Sequence, residues 1–264
     1  MLNVIEIVYS AVVLIATILG ALTGLGGGVI IKPMFDLLGQ DTAVTIGVYS
    51  AIAVFTMSIV SIFKQTKSGF SFDLKTLLSI SLGSVAGGVI GELIFNNFVT
   101  LFSNTQVKIT QNVLLLVMLI FILIYTKNQN HFGKYRLKRF DSIFIVGLLL
   151  GAISVFLGIG GGPLDVAMLM LLFSFTMKES TIYSIATIFF AQLSKLVLSG
   201  VHGDLFNIDY KVAIVVSVMA IVGGYVGTLI NQKLNETSVT RAYTMLMTAL
   251  SFVSVFNVGQ SILF

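Results

Sequence analysis

The chain reads as long apolar blocks separated by short polar stretches. Thr42–Phe63, Ser142–Leu164, Val212–Gln232 and Ala242–Phe264 carry no charged residue at all. About 20 residues at ~1.5 Å per residue match a ~30 Å hydrocarbon core, so each block is long enough to cross a bilayer. The pattern predicts eight spans, near Asn3–Leu22, Thr42–Phe63, Thr76–Phe98, Val107–Tyr125, Ser142–Leu157, Lys178–Ser199, Tyr210–Ile230 and Val239–Phe256. Two further apolar segments, Val29–Leu38 and Pro163–Thr176, are too short to cross as plain helices, and each follows a cluster of glycines. The predicted fold is an all-α polytopic membrane protein with eight full spans and two short broken or re-entrant helices.

The halves resemble each other. Gly24-Leu25-Gly26-Gly27-Gly28 aligns with Gly158-Ile159-Gly160-Gly161-Gly162 at an offset of 134, which also pairs Tyr49-Ser50 with Tyr183-Ser184 and Gly69 with Gly203. An offset of 136 pairs Gly87-Gly88-Val89-Ile90-Gly91 with Gly223-Gly224-Tyr225-Val226-Gly227. A fused duplication follows, with a first membrane repeat over 1–126, a basic cytoplasmic connector over 127–141 and a second repeat over 142–264.

Composition closes off soluble readings. Of 264 residues, 56% are apolar and only 10% charged, and the mean hydropathy is +1.03. The net charge of +4 does not point to nucleic acid, because five cations (Lys127, Lys134, Arg136, Lys138 and Arg139) sit in the connector, where an orientation signal or anionic lipid headgroups account for them. With no Cys there is no thiolate chemistry, and the two histidines, His131 and His202, fall in predicted loops, which leaves no evident metal site. The amino terminus lacks a basic n-region and contains Glu6, as expected of a retained span.

Cation placement also bears on topology. With re-entrant glycine segments, four crossings per half run parallel and the loop cations divide nine inside to four outside. With crossing segments, five per half run inverted and the division becomes eleven to two. The stronger bias favours the inverted five-plus-five arrangement over the parallel four-plus-four, and an extended glycine stretch gives a half-helix the extra reach.

Candidate chemistry gathers at the glycines. N–H groups that open a helix lie at the positive end of its dipole, so Gly26, Gly27, Gly28 and Gly160, Gly161, Gly162 are candidate anion-binding backbone. The GxxxG spacings Gly20/Gly24, Gly83/Gly87, Gly147/Gly151 and Gly223/Gly227 are better read as helix packing. Five ionisable residues fall at membrane depth: Glu6, Lys32, Glu92, Asp165 and Lys195. Lys32 and Asp165 stand at nearly equivalent repeat positions, which suggests an ion pair between them; the alternative is a Lys32 that snorkels to the headgroups. Lys195 shares a helix face with Gln192 and suits an anionic oxygen, although it too could snorkel. Ser50, Ser184 and Thr187 are further hydroxyl donors, unless they bond their own i−4 carbonyls. Glu92 is a candidate proton carrier or packing glue.

These features carry a resemblance. A duplicated half with a GxGGG cluster near the end of its first span, repeated after a basic loop, resembles the TauE/SafE sulfite exporter family of membrane transporters over nearly the whole chain. The resemblance implies a permease of small sulfur-containing or organic anions (sulfite, sulfonate, thiosulfate or similar) in the plasma membrane, coupled to protons. GLGGGVIIKP fits the pattern; the second copy departs from it, with Pro163 directly after Gly162 and Asp165 two residues later, which places the substrate nearer the first cluster. An anion channel is the rival reading and a non-transporting scaffold a third. A catalytic set is missing, so an enzyme is not expected, nor is a cofactor. The implied partners are the small anion, the bilayer and, as an option, a second copy of the chain as a homodimer.

Overall fold

The computed structural model describes residues 4–128 and 135–263. The expected start of the first span at Asn3, the connector residues His131 and Lys134, and the end of the last uncharged block at Phe264 lie outside them. The described residues form ten α-helices and no strand: α1 (Val4–Thr23), α2 (Gly28–Leu38), α3 (Ala43–Lys67), α4 (Leu74–Leu101), α5 (Asn104–Lys127), α6 (Phe140–Leu157), α7 (Gly162–Phe173), α8 (Met177–His202), α9 (Tyr210–Lys233) and α10 (Glu236–Leu263). Eight of them are long and apolar enough to span a membrane, and these are the eight predicted blocks. The two glycine-led segments are α2 and α7, with 11 and 12 residues. At ~1.5 Å per residue each reaches roughly half-way across the hydrocarbon core.

Local chemistry sets the helix boundaries. Thr42, Asp73, Ser103, Thr176 and Asp209 each accept a backbone N–H of the following first turn, and Ser103–Gln106 and Thr176–Glu179 complete capping boxes. These caps extend α4 two residues ahead of the expected Thr76 and start α5 at Asn104, ahead of Val107. Beyond α5, Tyr135 and Leu137 donate backbone N–H groups to the Leu171 and Leu172 carbonyls at the end of α7.

Small residues decide the packing. A methyl group added at Gly83, Gly87 or Gly91 of α4 would overlap the backbone of Phe144, Leu148 or Ala152 of α6, and Gly147 and Gly151 of α6 press equally on Ile80 and Ser84. Gly223 and Gly227 of α9 lie against Thr17 and Ile18 of α1. Dispersion between closely approaching backbones holds these pairs together where no hydrophobic drive operates between helices. Gly20 is different, because it packs on Gly26 and Gly27 of its own hairpin.

The contacts fix helix directions. Residue numbers rise together along α1/α9, α4/α6, α3/α9 (Met57 at Gly224, Ser61 at Thr228, Gln65 at Asn231) and α4/α8 (Ser84 at Thr187, Glu92 at Lys195, Asn96 at His202). They run oppositely along α3/α8, where Phe55 stacks on Phe189 and Gly47 meets Lys195. α2 also doubles back along α1, with Phe35 stacked on Tyr9 at 3.9 Å. α3 and α8 are the most enclosed spans, and α8 is rich in buried polar groups, among them Ser184, Gln192 and Lys195. Large apolar side chains such as Ile15, Leu82, Val117, Leu149 and Ile214 point outward, as a lipid-facing surface requires.

Candidate functional site

Two broken elements meet at the centre. α1 ends at Thr23, and the chain turns through Gly24, Gly26 and Gly27, all at positive φ, before α2 begins; Gly158, Gly160 and Gly161 repeat the turn before α7. Only glycine takes such a run of left-handed positions without strain, which explains why both clusters are glycine. The two turns touch. Gly28 abuts the Ile159 carbonyl and Gly162 abuts the backbone of Leu25, while Gly26 and Gly160 both rest on Val54 of α3 and Ile188 of α8. The half-helices therefore start beside each other between the two most enclosed spans.

Hydroxyls line this crossing unequally. Ser184 donates to the Gly24 carbonyl at 2.8 Å and fixes the first turn. Ser50 places Oγ 2.8 Å from where a methyl group on Gly28 would stand, so it holds the α2 start open only to glycine. Thr187 donates to its own i−4 carbonyl, Tyr183, at 3.0 Å, which is a structural role. Gln192 reaches Ser154 of α6 at 3.5 Å. Asp165 is buried in the first turn of α7 beside Gly161, and its Oδ1 has no hydrogen-bond partner.

The charged residues pair differently from the expectation. Lys32 lies 3.6 Å from Asp36, one turn further along α2, and not against Asp165. Helix periodicity explains the correction: i and i+4 share a face, and a partner on the same short helix needs no help from tertiary register. Neither Lys32 nor Lys195 snorkels, since both are 2% exposed. Lys195 Nζ sits 3.9 Å from Glu92 Oε2 and 5.4 Å from the Phe95 ring centroid, and Ser199 donates to Glu92 Oε1 at 3.3 Å. Glu92 is thus the counter-charge of Lys195.

Sequence reasoning missed four members of this cluster. Asp36 went unremarked although it stands four residues after Lys32 inside an apolar segment, a signal that was readable. Lys108, counted as a loop cation, lies 3.6 Å from Asp36 and donates to the Asp41 carbonyl at 2.9 Å. Asn112 donates to Asp36 at 3.4 Å, and Asn257 of α10 donates to the Pro33 carbonyl at 3.0 Å. An asparagine in a span carries no pattern that names its partner, so these two were visible only in three dimensions.

The two lysines converge. Lys195 Nζ lies 3.0 Å from where a methyl group on Gly47 would be, and the Lys32 side chain passes 3.3 Å from the same position on Gly158, which Gly47 approaches to 3.8 Å. One cation from each half therefore flanks a contact between two glycines, deep in the protein, at the foot of the glycine crossing. Such an arrangement can attract an anion, orient it with backbone and ammonium donors, and exclude water around it.

Comparison with known proteins identifies the family. The model of the sulfite exporter TauE/SafE family matches residues 9–254. Two relatives are similar along most of their length: the probable membrane transporter protein YunE of Bacillus subtilis, 28% identical over 89% of this chain and 90% of its own, and the probable membrane transporter protein MJ0441 of Methanocaldococcus jannaschii, 26% identical over 84% of each. No solved structure matches the chain. The chain belongs to the TauE/SafE family of membrane transporters and is a multi-pass protein of the cell membrane.

Proposed function

We propose that this TauE/SafE member is a secondary carrier that moves a small sulfur-containing or organic anion by alternating access of two inverted five-helix halves about the glycine crossing. The observation that carries the reading is the meeting of two half-helix N-termini beside two buried lysines, one from each half. A cation costs about 2.5–3.5 kcal/mol at membrane depth by insertion scales, and an anionic cargo accounts for keeping two of them there. The inverted arrangement is supported by the packing directions: α1, α3 and α9 run one way and α4, α6 and α8 the other, so each of these six helices opposes its repeat counterpart. Two lever arms of opposite sense, pivoting where Gly28 meets Ile159 and Gly162 meets Leu25, can open the site to either side in turn.

Reconstituted protein tests the reading. A panel of sulfite, sulfate, thiosulfate, sulfoacetate, taurine and small carboxylates should contain an anion that raises the melting temperature and enters proteoliposomes with saturable kinetics driven by a pH gradient. Rapid flux without saturation would make the protein a channel, and no binding or flux across the panel would overturn the proposal. A tag at the amino terminus should be reached from outside the cell; a cytoplasmic tag would refute five plus five.

A further inference from the structure

We propose that Lys195, together with Lys32, is the seat of the anion, that the Glu92 carboxylate occupies Lys195 when the anion is absent, and that the two exchange, Glu92 leaving Lys195 by taking up one proton from water. The proposal rests on the carrier reading above and names the coupling group within that same site.

Three observations carry it. The first is distance. Lys195–Glu92 at 3.9 Å and Lys32–Asp36 at 3.6 Å are ion pairs too long for N–H···O hydrogen bonds, which fall at about 2.7–3.2 Å. The second is unused bonding capacity: Lys32 Nζ, Asp36 Oδ1 and Glu92 Oε2 are buried without any hydrogen-bond partner. Buried ammonium and carboxylate groups normally spend their donors and acceptors, so these hold charge in place while leaving room for a better ligand. An oxyanion has several oxygens and can satisfy both ammonium groups at hydrogen-bond length, whereas Asp36 pairs with Lys32 and Glu92 with Lys195, and neither bridges the two.

The third observation is charge balance. Lys32 and Lys108 share the Asp36 carboxylate, whereas Lys195 and Glu92 balance each other one to one. Lys108 of α5 adds a cation on the far side of Asp36, α3 contributes Gly47, and α6 contributes Ala152 beside Gly91. An anion that takes Lys195 leaves Glu92, 1% exposed, as a carboxylate parted from its counter-charge in a region that cannot solvate it. One proton on Glu92 restores the balance, and Ser199 is already in place to bond its released carboxyl group. Substrate and proton then share the site and travel together, with one proton for each anion that displaces Glu92.

The experiment measures binding against pH with methanesulfonate and thiosulfate, neither of which titrates near neutral pH. The wild type should lose about tenfold in affinity per pH unit on the alkaline limb, the slope of one linked proton. Glu92→Gln should bind at least as tightly and show no slope, with uptake no longer driven by a pH gradient. Lys195→Gln should lose at least about tenfold in affinity. Glu92→Gln combined with Lys195→Gln removes both charges, should fold as well as the wild type, and should bind neither probe. A flat wild-type profile, a slope that survives Glu92→Gln, or undiminished binding by Lys195→Gln overturns the proposal while leaving the carrier reading intact. Failure of the wild type to bind or move any anion of the wider panel overturns both.

Discussion

Two crossings at the heart of the protein are related by the sequence repeat, and they differ in one respect. Where α4 meets α8, Glu92 faces Lys195 at 3.9 Å; where α9 meets α3, the residues at the corresponding offsets, Thr228 and Ser61, share a hydrogen bond of 3.0 Å. Near the helix starts the crossings match: Tyr183 accepts the Asp73 N–H at 2.7 Å, and Tyr49 accepts the Asp209 N–H at 2.9 Å. The scaffold bonds are duplicated and the charge is not. A hydroxyl pair ties two helices with neutral groups, while a buried ion pair does so only at the cost of desolvating both partners. The second arrangement therefore marks the crossing that handles charge, and the first marks what the same contact looks like as structure alone.

The half-helices repeat the contrast. α2 carries Lys32 with its counter-charge one turn away, and α7 carries Asp165 in its first turn, buried and with an oxygen that no donor reaches. The α7 start thus carries an acidic side chain and no cation of its own. The α2 start has a serine beside it and a lysine below it, which is the polarity a substrate anion needs.

The comparison can be broken most severely at the charged crossing. Lys195→Met leaves Glu92 buried and uncompensated, and should destabilise the protein by about 3–5 kcal/mol, read as a lower melting temperature in detergent. Copying the other crossing by combining Lys195→Ser with Glu92→Thr should recover stability to within about 1–2 kcal/mol, the scale of a net hydrogen bond, yet leave no anion transport. If the copied crossing still transports, the asymmetry has no functional meaning.

The matched ends give a smaller effect. Tyr183→Phe and Tyr49→Phe each remove the acceptor of one backbone N–H, and each should cost about 1 kcal/mol. Equal losses would sharpen the picture of a duplicated scaffold; a loss confined to one would contradict it.

The smallest effect concerns Asp73, at the solvent-facing start of α4. The Thr76 hydroxyl donates to its carboxylate and holds its pKa below the ordinary value. A depressed acid pKa stabilises the fold above the unfolded value of about 3.9, and that stability fades as pH falls through the folded value. Asp73→Asn should therefore flatten a slight loss of stability on acidification below about pH 4. An unchanged acid limb in thermal melts would remove Asp73 from the account.

How much was legible depended on the range of the signal. Span positions came from apolar block length, and the short α2 and α7 from the glycines ahead of them, because both are written within one helix length of sequence. The Lys32 partner was legible in principle and misassigned, since an i+4 acid in an apolar segment outranks a symmetry argument. The Glu92–Lys195 pair was not legible. The two residues stand 103 positions apart in the chain, and their meeting depends on how far α4 and α8 rotate and slide against each other.

By itself the sequence determined that this chain lives in a membrane, where its helices lie and where they break, because hydropathy and glycine conformation act locally. Only the tertiary structure decided which buried charges face one another. Helix rotation and register are set by close backbone contacts such as Gly87 on Leu148 and Gly88 on Ala191, which no single segment encodes.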